Sequence, residues 1–180
     1  MKNLKLAVLI VLVFNFVIIS CSRDNNDNDI CSENVMNIEG AQISIETVLL
    51  SEGGSSRGNA NKIGVFYWDL NLLSEGFTLT NSELAVSRIG AVISLELSTN
   101  SALGIVPGIY IYADEIGEFK CVRAQVSKNL NEMDEGNKLI VASGVVTIIG
   151  TGMRQVIEVN LVGENGKSIT ASYSYCNLFN

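Results

Sequence analysis

The sequence holds 180 residues, with 12 Lys and Arg against 19 Asp and Glu, no His and a formal charge of −7. Such a chain is a poor partner for nucleic acid, because binding phosphates needs clustered Lys and Arg. Without His there is no conventional Ser-His-Asp triad and no His-ligated zinc or copper site, and no residue pattern implies a cofactor.

The first stretch has the form of an export signal. Lys2 and Lys5 precede an apolar run from Leu6 to Ile19, interrupted only by Asn15. That is signal-peptide length, and short of the roughly 20 apolar residues a spanning helix needs. The tetrapeptide Ile18-Ile19-Ser20-Cys21 then resembles the lipobox of bacterial lipoproteins. The resemblance implies cleavage before Cys21 and a diacylglyceryl group on its thiol, so residues 1–20 are read as a lipoprotein signal peptide. The alternatives are an ordinary signal cut elsewhere or an uncleaved anchor. Removing residues 1–20 takes away two Lys and no acid, which leaves 10 Lys and Arg against 19 Asp and Glu, a charge of −9. Anionic headgroups would repel such a body, leaving the lipid as the membrane contact.

Residues 21–37 carry few apolar side chains and much Asn and Asp. They cannot bury enough surface to offset their ordering entropy, so they read as a flexible acidic tether. The acids after Cys21 also resemble the sorting signal that sends lipoproteins of the Bacteroidota to the outer face of the outer membrane, diluted here by Asn25, Asn26 and Asn28. A calcium loop on Asp24, Asp27 and Asp29 fails: Asp29 stands where Gly is needed and Val35 where Glu is needed. No metal site is expected.

From residue 38 to 180 the dominant period is two, which predicts one all-β domain. Ile43, Ile45 and Thr47 share one face of a first strand, and Gly53 to Asn61 reads as a loop. Its glycines do not lead into the Gly-Lys-Ser/Thr of a phosphate cradle. Strands are then predicted over Ile63–Leu70, Phe77–Thr80, Ala91–Leu97, Ile109–Tyr112, Phe119–Val126, Leu139–Ala142, Val145–Ile149, Gln155–Val162 and Ile169–Leu178. Asn81–Ile89 and Lys128–Glu135 are the two stretches where a short helix would fit. Gly150-Thr151-Gly152 and Glu164-Asn165-Gly166-Lys167 read as hairpin turns, the second through its Asn-Gly pair. The spacing predicts an antiparallel β-sandwich or partly closed β-barrel.

The order Pro107-Gly108-Ile109-Tyr110, Ser143-Gly144-Val145-Val146-Thr147-Ile148, Gly166-Lys167 and Tyr173 resembles a layout of small β-rich lipoproteins on Bacteroidota surfaces. That resemblance implies architecture and address, and no activity.

Three cysteines remain beside Cys21. Cys121 and Cys176 both fall in predicted strands and are the favoured disulfide, with Cys31 paired to either as the alternative. A nucleophilic thiol is disfavoured, because neither a His nor a CxxC is present.

Aromatic spacing gives the binding candidates. Tyr110 with Tyr112, and Tyr173 with Tyr175, project from shared strand faces, whereas adjacent Tyr67 and Trp68 point to opposite ones. Exposed, these rings would form a platform for sugars or a partner's side chains; otherwise they fill the core. The expected function is therefore a lipid-anchored, non-catalytic module on the cell surface that recognises a glycan or protein, or has a structural role. A small-ligand carrier is the alternative and requires a closed apolar pocket of at least about 300 Å³. A carboxylate enzyme is a third, drawing on Asp69, Glu75, Asp114 or Glu118, and requires two acids about 5 to 10 Å apart in a cleft.

Overall fold

The computed structural model describes residues 34–53, 64–80, 83–86, 89–113, 115, 117–130, 136–152 and 155–175. Among them the regular structure is strand, and no α-helix occurs. In chain order the strands are β1 (Val35–Ile38), β2 (Ala41–Ser44), β3 (Thr47–Glu52), β4 (Phe66–Leu73), β5 (Phe77–Thr80), β6 (Glu83–Val86), β7 (Gly90–Thr99), β8 (Gly108–Tyr112), β9 (Lys120–Leu130), β10 (Asn137–Ile149), β11 (Val156–Gly163) and β12 (Ser168–Ser174). Ten of these form one sheet in the order β2-β1-β12-β11-β10-β8-β9-β7-β4-β3, and β5 with β6 makes a separate hairpin. The sheet curls into a partly closed barrel.

Its curl follows from how β2 and β3 are joined. They lie at opposite edges of the sheet yet are separated only by Ile45 and Glu46. In an extended chain successive amides point to opposite sides. Ile45 N donates to Asn34 O at 2.9 Å on the β1 side, and Glu46 N donates to Leu73 O at 2.9 Å on the β4 side. One bent strand therefore serves both edges. Cross-strand partners from Gln42 run through Asn37, Thr170, Asn160, Val145, Ile111, Lys120, Ser98 and Tyr67, and return to the same segment at Gly53. Gly53 is 11 residues further along than Gln42. A stagger of this kind is what strand tilt requires in a barrel.

The expected all-antiparallel pattern is broken at one place. β8 runs parallel to β9, through Ile111 opposite Lys120 and Tyr112 opposite Cys121. It fits there because β9 and β10 pair only near their turn, over Gln125–Lys128 and Asn137–Ile140, and then diverge. The second half of β10 pairs with β8 instead. Between the two halves lies a bulge, where the register to β11 shifts between Val141 and Ser143. Gly144 follows it at φ +146°, and a Cβ there would stand 2.4 Å from Asn160 O. Only glycine fits, so Leu139–Ala142 and Val145–Ile149 are two halves of one bent strand.

Other differences are local. β1 begins at Val35, inside the segment read as tether, and reverses at Glu39-Gly40, where both φ values are positive (54° and 87°). Ile43 and Ile45 do share an inward face. Glu83–Val86 is strand where a helix was an option, and Lys128–Leu130 completes β9; residues 131–135 lie outside the described residues. Asn165-Gly166 makes its hairpin with positive φ at Gly166 alone. Gly163 N donates to Lys167 O and Gly166 N to Gly163 O, which is a three-residue loop closing on a glycine bulge.

The inward faces pack as a single cluster: Met36 and Ile38 of β1, Leu70 and Leu72 of β4, Ile93, Leu95 and Leu97 of β7, Val146 and Ile148 of β10, Val159 and Leu161 of β11, and Ile169 of β12. Ile45, at the bend, joins it. Burying one such side chain is worth about 1.5–3 kcal/mol, so the bend is anchored by packing as well as by its two amides.

A polar clamp ties the far end of the barrel together. The Glu39 carboxylate accepts from Lys128 Nζ of β9, from Asn165 Nδ2 at 2.7 Å and from Lys167 Nζ at 3.5 Å. The hydrogen bonds from Lys128 and Asn165 hold its pKa below the ordinary carboxylate value of 4.5. A depressed folded-state pKa gives stability that is present above the unfolded pKa and lost as pH falls through the folded one. Wild type is accordingly expected to melt above Glu39→Gln at neutral pH, with the two melting curves converging as pH drops below about 4.5. Thermal unfolding followed by circular dichroism from pH 7 to pH 3 measures this. A constant gap across the range would remove the carboxylate's role.

Candidate functional site

The strand faces place the predicted aromatics unambiguously. Tyr110 is fully buried: its hydroxyl donates to Val106 O at 2.7 Å and accepts from Val106 N at 3.2 Å, and its ring tilts on Phe119 with centroids 5.4 Å apart. Burial pushes its phenol pKa up. Tyr112 shares that inward face and packs, half-buried, against the core. Tyr67 lies on the opposite side of the sheet, where it packs with Val122 and Val65 and is also buried. Burial, and then the charge of Glu96, raise its pKa. Trp68 sits in the inward phase with Leu70 and donates Nε1–H to Ser101 O at 3.1 Å. Tyr173 is half-buried and meets Tyr175 edge-on at 5.6 Å; Tyr175 is the exposed member of the set. The pairs share faces as their spacing dictates, but the face of Tyr110 and Tyr112 is the core. Tyr67 and Tyr110 therefore offer no ring to a ligand, whereas Tyr175 is exposed beside Tyr173.

The carboxylates are arranged differently from an acid–base pair. Asp69 and Glu96 are directly opposite on β4 and β7. Arg123 of β9 joins both, with Nη2 3.5 Å from Asp69 Oδ1 and Nε 3.4 Å from Glu96 Oε2. Glu96 is almost wholly buried, although it sits on the polar side of an alternating strand. A guanidinium between two acids gives each of them a charge-assisted partner. Glu75 and Glu118 are exposed in turns, Asp114 lies outside the described residues, and no group of three metal-ligating side chains occurs among those described.

Cys121 is a free, fully buried thiol whose pKa burial pushes up to about 12; its Sγ lies 3.4 Å from Arg123 O. Cys21, Cys31 and Cys176 lie outside the described residues. A thiolate fraction this small makes Cys121 inert in the folded chain. Mass-mapped alkylation with iodoacetamide at pH 8 should leave Cys121 unmodified in the native protein and modify it in urea without reductant. Resistance in urea until a reductant is added would instead show that Cys121 is bridged.

An extended polar feature lies on the outer face of β11, β12, β1 and β2. Inward Met36, Ile38, Ile157, Val159, Ile169 and Ala171 alternate with outward polar residues in two cross-strand rows. One row runs Gln42, Asn37, Thr170, Asn160 and the other Ser44, Val35, Ser172, Glu158. Apart from Ser44, these residues line an open groove of about 530 Å³. A second depression of about 550 Å³ continues past Asn34 and Ser44 along β2, whose far side is a sheet edge. The rows extend onto β10 and β8 as Val145 with Ile111 and Thr147 with Ile109, so an aliphatic margin flanks the amides, hydroxyls and single carboxylate. Sequence reading passed over these residues because polar alternation is what any solvated sheet face shows. No family model, no curated protein and no solved structure matches this chain.

Proposed function

We propose that this chain is a lipid-anchored, non-catalytic surface module that binds hydroxyl-rich ligands, glycans first, in the outward groove of β11, β12, β1 and β2. The groove's side chains carry the reading. Gln42 and Asn160 each offer an amide donor and acceptor, Asn37 offers its amide N–H groups while its Oδ1 accepts from Gly40 N at 2.9 Å, Thr170 offers a hydroxyl, and Glu158 offers a charged acceptor. Adjacent sugar hydroxyls need donors and acceptors side by side, and the open shape accommodates a chain rather than a single small molecule. Anchorage at the outer membrane, facing outward, rests on the lipobox resemblance at Cys21 and the acidic segment after it.

The alternatives draw less support from the structure. Among the described residues the inward side chains pack into one cluster, which supports a carrier less, and Arg123 partners both Asp69 and Glu96, which supports an acid–base pair there less. Protein recognition has one observation in its favour: the edge of β2, Ala41–Ser44, carries neither charge nor proline to discourage strand addition.

Binding to an array of bacterial and host glycans, followed by titration calorimetry on the best ligand, tests the reading. Each amide hydrogen bond is worth about 0.5–1.5 kcal/mol net, so Gln42→Ala with Asn160→Ala should weaken binding roughly tenfold. Ile89→Ser, remote from the groove, should leave affinity unchanged. Absence of any bound glycan, or equal affinity in the groove double variant, would contradict the proposal.

A further inference from the structure

Three cysteines follow Cys21, and the fold sorts them. Cys121 points inward on β9, fully buried in the core and free. Cys31 and Cys176 lie just outside the described residues, three before Asn34 and one after Tyr175. The strands that lead to them relate the two.

β1 and β12 are antiparallel, with Val35 opposite Ser172, Met36 opposite Ala171, Asn37 opposite Thr170 and Ile38 opposite Ile169. In such a pair each step back along one strand is a step forward along the other. Cys31 stands four residues before Val35, and Cys176 four residues after Ser172. Continued, the register sets them opposite each other. Both strands hold that course to the edge of the described residues. Asn34 O accepts from Ile45 N at 2.9 Å, one step beyond the Val35–Ser44 pair of β1 and β2. Tyr175 N donates to Gln155 O at 3.2 Å, one step beyond the Val156–Ser174 pair of β11 and β12. Between the two strands, Asn34 Oδ1 accepts from Ser174 N at 2.8 Å.

Phase agrees with register. Met36 and Ile38 of β1 and Ile169 and Ala171 of β12 face the core. Alternation carried on from them puts positions 31 and 176 on the same, outward side of the sheet, away from Cys121. Directly opposite Cα atoms in an antiparallel pair are about 4.5–5.5 Å apart. That lies within the roughly 4.4–6.8 Å that a disulfide spans.

We propose that Cys31 and Cys176 form a disulfide that joins the first strand of the barrel to the last. Each thiol gives up a proton, and the pair gives up two electrons as the S–S bond forms. An oxidant of the disulfide class accepts them: one thiolate attacks it, the other displaces it, and it leaves as two thiols. Such an oxidant belongs to an oxidising compartment, so formation in the cell rests on the export reading of residues 1–20. The bond leaves nine residues between Cys21 and Cys31. With a lipid on Cys21, a pull on the anchor is then borne by β12 as well as β1.

Trypsin separates the three thiols, because Cys31 falls in residues 24–57, Cys121 in 121–123 and Cys176 in 168–180. The full chain is taken from membranes with iodoacetamide present, unfolded in urea without reductant, alkylated again, digested and weighed. A second sample is first reduced in its native state and returned to equimolar oxidised and reduced glutathione. Both should give a linked 24–57/168–180 peptide two hydrogens lighter than its separate parts, with 121–123 alkylated and the chain running as a monomer on a non-reducing gel. In glutathione the linked form should exceed the open one by at least about tenfold. Cys176→Ser should leave Cys31 open to iodoacetamide in the native protein. A link to 121–123, or no link in glutathione, overturns the pairing. A link that forms in glutathione but is missing from the cellular sample leaves the pairing standing and overturns the export reading.

Discussion

The structure depends on one bent strand. Residues 41–52 pair with β1 through their first half and with β4 through their second, and the change of side takes place between two consecutive amides, those of Ile45 and Glu46. Because the same segment serves both edges, the ten-stranded sheet must curl, and its inward faces become one core. The closure also joins distant parts of the chain: β1 lies on β12, with Val35 opposite Ser172. Contacts of that sequence separation are slow to form and cooperative once made.

The described inward side chains pack into one core, and the polar chemistry lies outside it. Tyr110, the largest fully buried side chain, is spent on the core, and Cys121 is held there as an inert thiol. The proposed recognition uses the outer surface, where a polar groove with an aliphatic margin lies on the flank. The Glu96–Arg123–Asp69 set stitches three strands on another part of that surface. Its position between neighbouring strands, with each acid facing the same guanidinium, marks it as support for the sheet.

Strand existence was legible where alternation was strong. Ala91–Leu97, Ile109–Tyr112 and Gln155–Val162 fall within a residue or two of β7, β8 and β11. Reversals without Asn-Gly were not legible: Glu39-Gly40 places a glutamate at positive φ, a position Asn or Asp usually takes, and the compensating contacts come from Lys128 and Asn165, about ninety or more residues away. The parallel insertion of β8 was hidden for the same reason, since it depends on the bulge before Gly144 and on where β9 and β10 part. Period two correctly paired Tyr110 with Tyr112 and separated Tyr67 from Trp68. It does not say which face is inside, and that is why the sequence left the aromatics open between a platform and the core, and why Asn37 read as tether.

The closure is tested most directly by native-state hydrogen exchange, read by NMR at the amides of Ile45 and Glu46. The account requires both to exchange only with global unfolding, at the same free energy as core amides of β7 and β9, because opening either one opens the barrel. If these two amides exchange as fast as exposed loop amides while β7 and β9 stay protected, the sheet is open at this strand and the closed account is wrong.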